Sequence, residues 1–237
     1  MARQFQNLVS GQIGPVVFYV RNGIGYARSA AVKVKQTKAT KESAILFGKS
    51  KRIAAVLRRE ITAALPDLKL SEAQLRFDNA VAQWMRFGNM EGRHEKLEYI
   101  DKFEFNEKSS LHGRFKKPFS VDFSDNGRIH FTIPEFNIPS DMGAPAYTDE
   151  LHWHVLVTAC DLKNKQPLDG AYREFEMPFT KGDVAEQRIS FDFKIQKETL
   201  TVVAVALRYI APRRGKTVLV KEPAWMPTGI VGSYYHG

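Results

Sequence analysis

The chain has one cysteine and no long apolar run. Cys160 is the single cysteine in 237 residues, which excludes an intramolecular disulfide framework and favours a reducing compartment. No apolar stretch approaches bilayer length, and the first ten residues lack the apolar core of a secretory signal. We therefore expect no membrane association, and a location in the cytoplasm or in an assembly released without a cleaved signal peptide.

Acidic residues are almost missing from the first quarter of the chain. Residues 1–59 contain twelve Lys and Arg but one acid, Glu42, so they carry +11, while the remaining 23 basic and 25 acidic residues carry −2. Positive charges at this density repel one another and destabilise the compact state unless an anionic group binds them. The pattern predicts a local contact with a nucleic acid, an acidic protein surface or a second copy of the chain.

A glycine-punctuated hairpin is predicted near the N-terminus. Val16–Val20 and Ile24–Arg28 are β-branched and aromatic runs separated by Asn22-Gly23, a pair that favours a type I′ turn. Residues 31–35 alternate as a third strand or arm. The glycines do not have phosphate-loop spacing, because no Lys-Ser/Thr pair or helix follows them.

Two amphipathic helices are predicted next. Apolar residues recur at helical spacing from Thr40, a candidate N-cap, to Leu65, and Pro66 ends the run. Residues 71–74 form a capping-box pattern before a second helix that ends near Gly88. We expect Phe77 and Trp84 to anchor this helical pair to the rest of the fold. Residues 93–107 fit either a helix or a strand.

The remainder of the chain alternates as short strands with turns between them, which is typical of an antiparallel β-sandwich. The predicted fold class is mainly β (α+β). Its parts are a hairpin arm over 1–36, a helical hairpin over 37–92 and a sandwich over 93–237. No low-complexity linker separates these parts, so they can pack as one unit. The predicted sandwich strands are 119–123, 129–133, 151–160, 172–179, 188–195, 200–210 and 217–220.

Several N-terminal segments carry a family resemblance. These are Gly11-Gln-Ile-Gly14-Pro-Val-Val-Phe-Tyr, Arg28-Ser-Ala, Val34-Lys-Gln-Thr-Lys-Ala-Thr40 and Phe47-Gly-Lys-Ser50. Over about residues 11–60 the chain resembles a family of uncharacterised bacterial proteins. The resemblance implies that the hairpin and the basic helix form one recurring module, and it implies no activity. The Thr-x-Ala stretch before the helix also resembles small phage-associated structural proteins, which favours a structural role.

No catalytic signature or cofactor motif accompanies these features, and we predict a non-enzymatic protein without a cofactor. His152 and His154 share one face of a strand and are the best metal-ligand candidates. Asp161, His130 or Asp149 would have to supply a third ligand. No spacing supports any of the three, so no metal site is predicted. Cys160 is expected to be a small buried apolar residue.

Two functions fit the basic module. In the first, the chain is a self-associating assembly subunit, such as a phage-like, filament or shell component, whose arm adds strands to a second copy. In the second, the same block binds nucleic acid without sequence preference. The predicted interface residues are Val16, Phe18, Tyr19, Val20, Ile24, Tyr26, Arg28, Lys33 and Lys35. The residues predicted to meet a polyanion or acidic partner, such as the acids within 101–107 or 183–186, are Lys38, Lys41, Lys49, Lys51, Arg52, Arg58 and Arg59.

Overall fold

The mainly β, α+β fold class is confirmed by a computed structural model. It describes residues 3–5, 8–30, 36–68, 71–87, 94–124, 127–193, 196–213 and 215–237. The chain forms two compact units, Met1–Glu42 and Ser43–Gly237. The predicted strand over 31–35, with Lys33 and Lys35, and the predicted helix end at Gly88 lie outside the described residues.

The N-terminal unit is an antiparallel ladder in chain order. Its strands are β1 (Arg3–Phe5), β2 (Leu8–Ile13), β3 (Val16–Arg21) and β4 (Ile24–Ser29). The predicted hairpin corresponds to β3 and β4. Asn22 and Gly23 both have positive φ, at 52° and 76°, as a type I′ turn requires. The preceding strand β2 was not predicted, because Gly11 and two polar residues interrupt its alternation.

The first helix, α1, spans Lys38–Ala64 and ends before Pro66, as predicted. Its N-cap differs from the prediction. The Thr37 hydroxyl accepts a hydrogen bond from the Thr40 backbone N–H at 3.2 Å, so Thr37 caps the helix and Thr40 lies inside its first turn. Both threonines are good N-cap residues that precede the apolar pattern, so the sequence alone does not show which of them caps the helix.

The second helix, α2, spans Gln74–Phe87, and a short helix, α3, spans Leu111–Arg114. The stretch 93–107, which fits either a helix or a strand by its sequence, forms neither one over its described length. A 3₁₀ helix runs over His94–Tyr99. Glu104 then makes an isolated bridge to Gly229.

A five-stranded antiparallel sheet forms the centre of the C-terminal unit. The strands of this unit are β5 (Ser120–Phe123), β6 (Arg128–Ile133), β7 (Phe136–Ile138), β8 (Glu150–Asp161), β9 (Gln166–Pro178), β10 (Gly182–Val184), β11 (Gln187–Asp192), β12 (Thr199–Arg213), β13 (Lys216–Leu219) and β14 (Thr228–His236). The middle strand of the large sheet is β12, which pairs with β8 on one side and with both β13 and β14 on the other, while β9 pairs with β8. A three-stranded sheet has the order β11–β6–β5, and β7 pairs with β10.

Each face of the large sheet is covered by a different layer. On one face, Trp153 and Val205 pack with Phe131 of the small sheet, as a sandwich requires. On the other face, Leu200 and Val202 pack against residues of α1 and α2. Phe77 and Trp84 belong to this second core, so their predicted anchoring role is confirmed.

Strand β14 was missed because glycines punctuate it. One of them, Gly232, lies where an added Cβ would come within 2.9 Å of Val121 on β5. A glycine here permits a close approach between strands. Gly232 therefore weakens the strand pattern in the sequence, although the packing of β14 against β5 requires a glycine there.

Candidate functional site

The N-terminal sheet has no fully buried side chain among its described positions 8–30. Its β4 strand is exposed along its whole length. Ile13, Ile24 and Tyr26 keep 55%, 58% and 43% of their surface exposed. An apolar sheet surface left in water at both faces is typical of an interaction surface.

One face of the β3–β4 hairpin combines aromatic and basic residues. Tyr19 lies directly opposite Tyr26, and the two rings stack with their centroids 5.4 Å apart. Side chains two residues apart share a face, so Arg21 and Arg28 extend the same face. The antiparallel register places one arginine on each side of the tyrosine pair.

The first half of α1 is also unburied. Positions 38–49 contain no buried residue, whereas Ser50 and Ile53 begin the packed half. Ile45 and Phe47 expose 60% and 48% of their surface. Three cations in or beside this segment, Lys41, Lys49 and Arg52, are exposed and have no acidic partner among the described residues.

Other predicted cations of α1 have intramolecular partners. Arg58 and Lys51 lie 3.1 and 3.7 Å from the buried carboxylate of Asp78 on α2. These two ion pairs bind the helical hairpin together, so the two residues have a structural role besides any contact with a partner. Arg59 contacts Glu60 at 3.2 Å, and Lys38 contacts Glu42 at 4.0 Å.

Several acids in the proposed partner patches are also engaged within the fold. Asp101 accepts a hydrogen bond from Ser233. Glu104 accepts hydrogen bonds from Ser110 and from the backbone at the start of α3. Glu107 pairs with Arg76, and Asp183 accepts from Asn137. These acids stabilise their own unit first, which limits what they offer to a basic partner.

The His152-Trp153-His154 segment lies on β8. Trp153 is fully buried between the sheets, as predicted, and both histidines point to the opposite face. Of the three candidates for a third ligand, Asp161, His130 and Asp149, none is among the described residues that group with His152. His130 bonds Ser190 on the small sheet, and Asp161 accepts hydrogen bonds from the turn residues 163 and 164 at the far end of β8.

Sequence reasoning missed the acids that do surround these histidines. Glu176 pairs with His152 and Glu174 pairs with His154 across the β8–β9 ladder. Glu150 lies two residues before His152 on the same face. The alternation in Arg173-Glu-Phe-Glu was the available signal, but without the strand register it could not be joined to the histidines.

His154 forms a small network with Tyr172 and Glu174. Its Nδ1 lies within hydrogen-bond distance of the Tyr172 hydroxyl, which donates to Glu174 at 3.0 Å. Burial lowers the pKa of His154, against the opposing charge of Glu174. Burial, together with Glu174, raises the pKa of Tyr172 to about 12. The network therefore favours a neutral imidazole and a protonated phenol at neutral pH.

Cys160 is fully buried on the helix-covered face. Burial raises the pKa of its thiol to about 12, so the thiolate that nucleophilic chemistry needs is scarce at neutral pH. The predicted role as a small apolar residue agrees with this position.

Comparison with family models, curated proteins and solved structures gives no match to the chain. Among the described residues, none of the helices is both long and apolar enough to span a membrane.

Proposed function

We propose that the protein is a non-enzymatic assembly subunit that self-associates through its N-terminal sheet. The observation that carries this proposal is that residues 8–30 of the ladder, whose burial is described, include no buried residue, although they display Ile13, Ile24 and Tyr26. A small sheet with both faces in water is marginal on its own. Contact with a second copy would cover the apolar side chains, and β4 would offer a free edge for strand addition.

The exposed start of α1 extends the same proposal. Ile45 is apolar and exposed, and it shares one face of the helix with Lys41, Lys49 and Arg52, because residues three or four positions apart lie on the same side. Phe47 lies on another face, with Lys51 over its ring at 5.0 Å. Apolar residues bordered by charged ones are the usual composition of an interface, and we assign the face of Ile45 to the contact with the second copy.

Deleting residues 1–36 is expected to convert an oligomer into a folded monomer. The deletion removes the sheet but keeps Thr37, which caps α1. The measurement is size-exclusion chromatography with light scattering at tens of micromolar, a range in which an interface of standard size associates. Circular dichroism reports whether the truncated chain keeps its fold. A monomeric full-length chain at this concentration would refute the proposal.

Point variants test the same surface without removing it. We expect the double variant Ile24→Ser, Tyr26→Ser to weaken self-association by about tenfold or more, because each tenfold change needs only about 1.4 kcal/mol. The matched control is Leu75→Ser on α2, which removes an equally exposed apolar side chain, with 62% of its surface in solvent. An equal effect of the control would show that general hydrophobicity, and not this sheet, drives association.

Nucleic-acid binding is the second candidate, favoured by the arginine-flanked tyrosine pair on β3 and β4. Stacked aromatic rings beside cations are the platform that single-stranded nucleic acids use. Replacing Lys41, Lys49 and Arg52 by Gln is expected to flatten the log–log salt dependence by about 0.7–0.9 per lost phosphate contact. The control replaces Lys163, Lys181 and Lys221, which removes the same charge elsewhere. Absence of binding to single-stranded and duplex DNA at low salt would exclude this candidate.

A further inference from the structure

The helix-side face of β8 and β9 brings together side chains that ligate metals. Glu150, His152 and Glu176 each place one ligand atom within 4.8 Å of the other two. Two of them come from β8, and Glu176 faces His152 in the β8–β9 register. The backbone of two paired strands thus fixes their separation, as a binding site requires.

The two ring nitrogens of His152 face different acids. Nε2 lies 3.5 Å from Glu150 Oε2, whereas Nδ1 lies 3.5 Å from Glu174 Oε1 and 3.6 Å from Glu176 Oε1, all longer than the about 2.7–3.2 Å of good N–H···O hydrogen bonds. One ion binds only one of these nitrogens. Nε2 and Glu150 are suitably spaced for it, because two ligands bound at about 2.0–2.2 Å to a tetrahedral ion lie roughly 3.4 Å apart, and Glu176 would complete the set by turning toward Nε2.

The charge of the cluster also favours a cation. Glu150, Glu174 and Glu176 form no ion pair with a Lys or Arg in the described part of the chain. The nearest guanidinium, that of Arg208 opposite His152 on β12, is paired with Asp67. Three carboxylates therefore share this face with two imidazole groups and with one guanidinium that is already paired, in a chain whose net charge is +9.

The cluster has support on one side and solvent on the other. His152 is held in place, with 17% of its side chain exposed, whereas Glu176 is 64% exposed and free to turn toward an ion. Glu174 Oε1 lies 3.5 Å from His152 Nδ1, where a carboxylate can orient a ligating imidazole. The exposure of Glu176 leaves the cluster open to solvent on this side.

We propose that Glu150, His152 and Glu176 bind a divalent transition-metal ion of the Zn²⁺ class. One imidazole and two carboxylates are a ligand set that zinc accepts, and a fourth position remains for water or a partner's side chain. The sequence alone supports no third ligand beside the two histidines, whereas the β8–β9 register brings Glu176 to His152. The proposal is independent of self-association.

The test is a titration of untagged, full-length protein, first stripped with a chelator, with ZnCl₂ by calorimetry and with CoCl₂ by visible absorption. We expect one ion per chain and a Co²⁺ spectrum of tetrahedral or five-coordinate type. His152→Ala should weaken Zn²⁺ binding at least tenfold. Glu176→Gln should do the same without a change in fold, because its side chain is largely in solvent. Glu174→Gln should weaken binding about 10–100-fold through the orientation of His152.

His130→Ala is the matched control, since it removes another partly exposed histidine on the small sheet. It should leave Zn²⁺ affinity unchanged. Lack of saturable Zn²⁺ binding at millimolar concentration would overturn the proposal, as would full binding by the folded Glu176→Gln and His152→Ala variants. If the Glu variants instead altered the oligomeric state without any metal effect, the cluster would be an acidic docking patch and the metal assignment would be wrong.

Discussion

Arg208→Ala is expected to lower the free energy of unfolding by about 3–5 kcal/mol, the cost of breaking a buried ion pair by removing one partner. The Arg208 side chain is 3% exposed and faces Asp67 through both Nε and Nη2, the latter at 3.0 Å. Its Nη1 donates to the backbone carbonyls of residues 207 and 227 and to the Thr228 hydroxyl. Removal would leave the Asp67 charge and these acceptors unpaired.

The measurement is urea unfolding of the full chain, with Arg128→Ala as control. Arg128 pairs with Asp192 at 3.0 Å, but both side chains are more than half exposed, so this pair should contribute less than about 1 kcal/mol. A double variant, Asp67→Leu with Arg208→Met, should recover much of the loss, because it leaves no buried charge behind. Equal losses from Arg208→Ala and Arg128→Ala would contradict the structural role assigned to Arg208.

The same pair predicts a dependence on pH. Burial alone would raise the pKa of Asp67, but the hydrogen bonds and charge of Arg208 outweigh it and lower that pKa. A carboxylate with a lowered pKa stabilises the fold above its usual range of about 3.9 and loses this effect as pH falls. The difference between the parent and Arg208→Ala should therefore be full at neutral pH and shrink below pH 4.

Trp153→Ala is expected to cost about 3–5 kcal/mol, the range for truncating a large buried aromatic residue. Trp153 is fully buried between the two sheets. It stacks on Phe175 at 6.0 Å and meets Phe115 edge-on at 5.4 Å. The cavity left by alanine could not be filled by these rings without moving both sheets.

Trp153→Phe separates volume from polarity at the same position. The buried indole Nε1 has no hydrogen-bond partner among the described residues, so replacing it removes an unsatisfied donor along with part of the ring. We expect a loss well below that of Trp153→Ala by the same urea measurement. The control Tyr147→Ala, at a side chain 85% exposed, should change stability by less than about 0.5 kcal/mol. A phenylalanine variant as unstable as the alanine variant would show that the indole N–H is satisfied.

The sequence alone predicted those structural features that depend on a local pattern of residues. Asn22-Gly23 predicts the turn between β3 and β4 because few other residues adopt positive φ at both positions. Pro66 marks the end of α1 because proline cannot continue a helix. The apolar stripe through Phe77 and Trp84 predicts burial, although it does not name the sheet that provides it.

Long-range pairing accounts for what the sequence could not predict. Glu174 and Glu176 belong to the histidine cluster only through the β8–β9 register, which includes an irregularity between residues 157 and 159. Lys51 and Arg58 look like solvated cations until the helical hairpin brings Asp78 beside them. Likewise, the acids at 101 and 104 look like surface charge until β14 and α3 are in place.

The position of β12 in the large sheet has a consequence for the order of events during synthesis. The apolar faces of α1 and α2 leave the ribosome more than a hundred residues before Leu200 and Val202, which cover them. At a typical synthesis rate of about 5–20 residues per second, this delay is on the order of ten seconds. Strand β8 is also synthesised before β12, the strand with which it pairs. The nascent chain thus carries uncovered apolar surface until β12 has been made, and it is in this interval that a chaperone would protect it from aggregation.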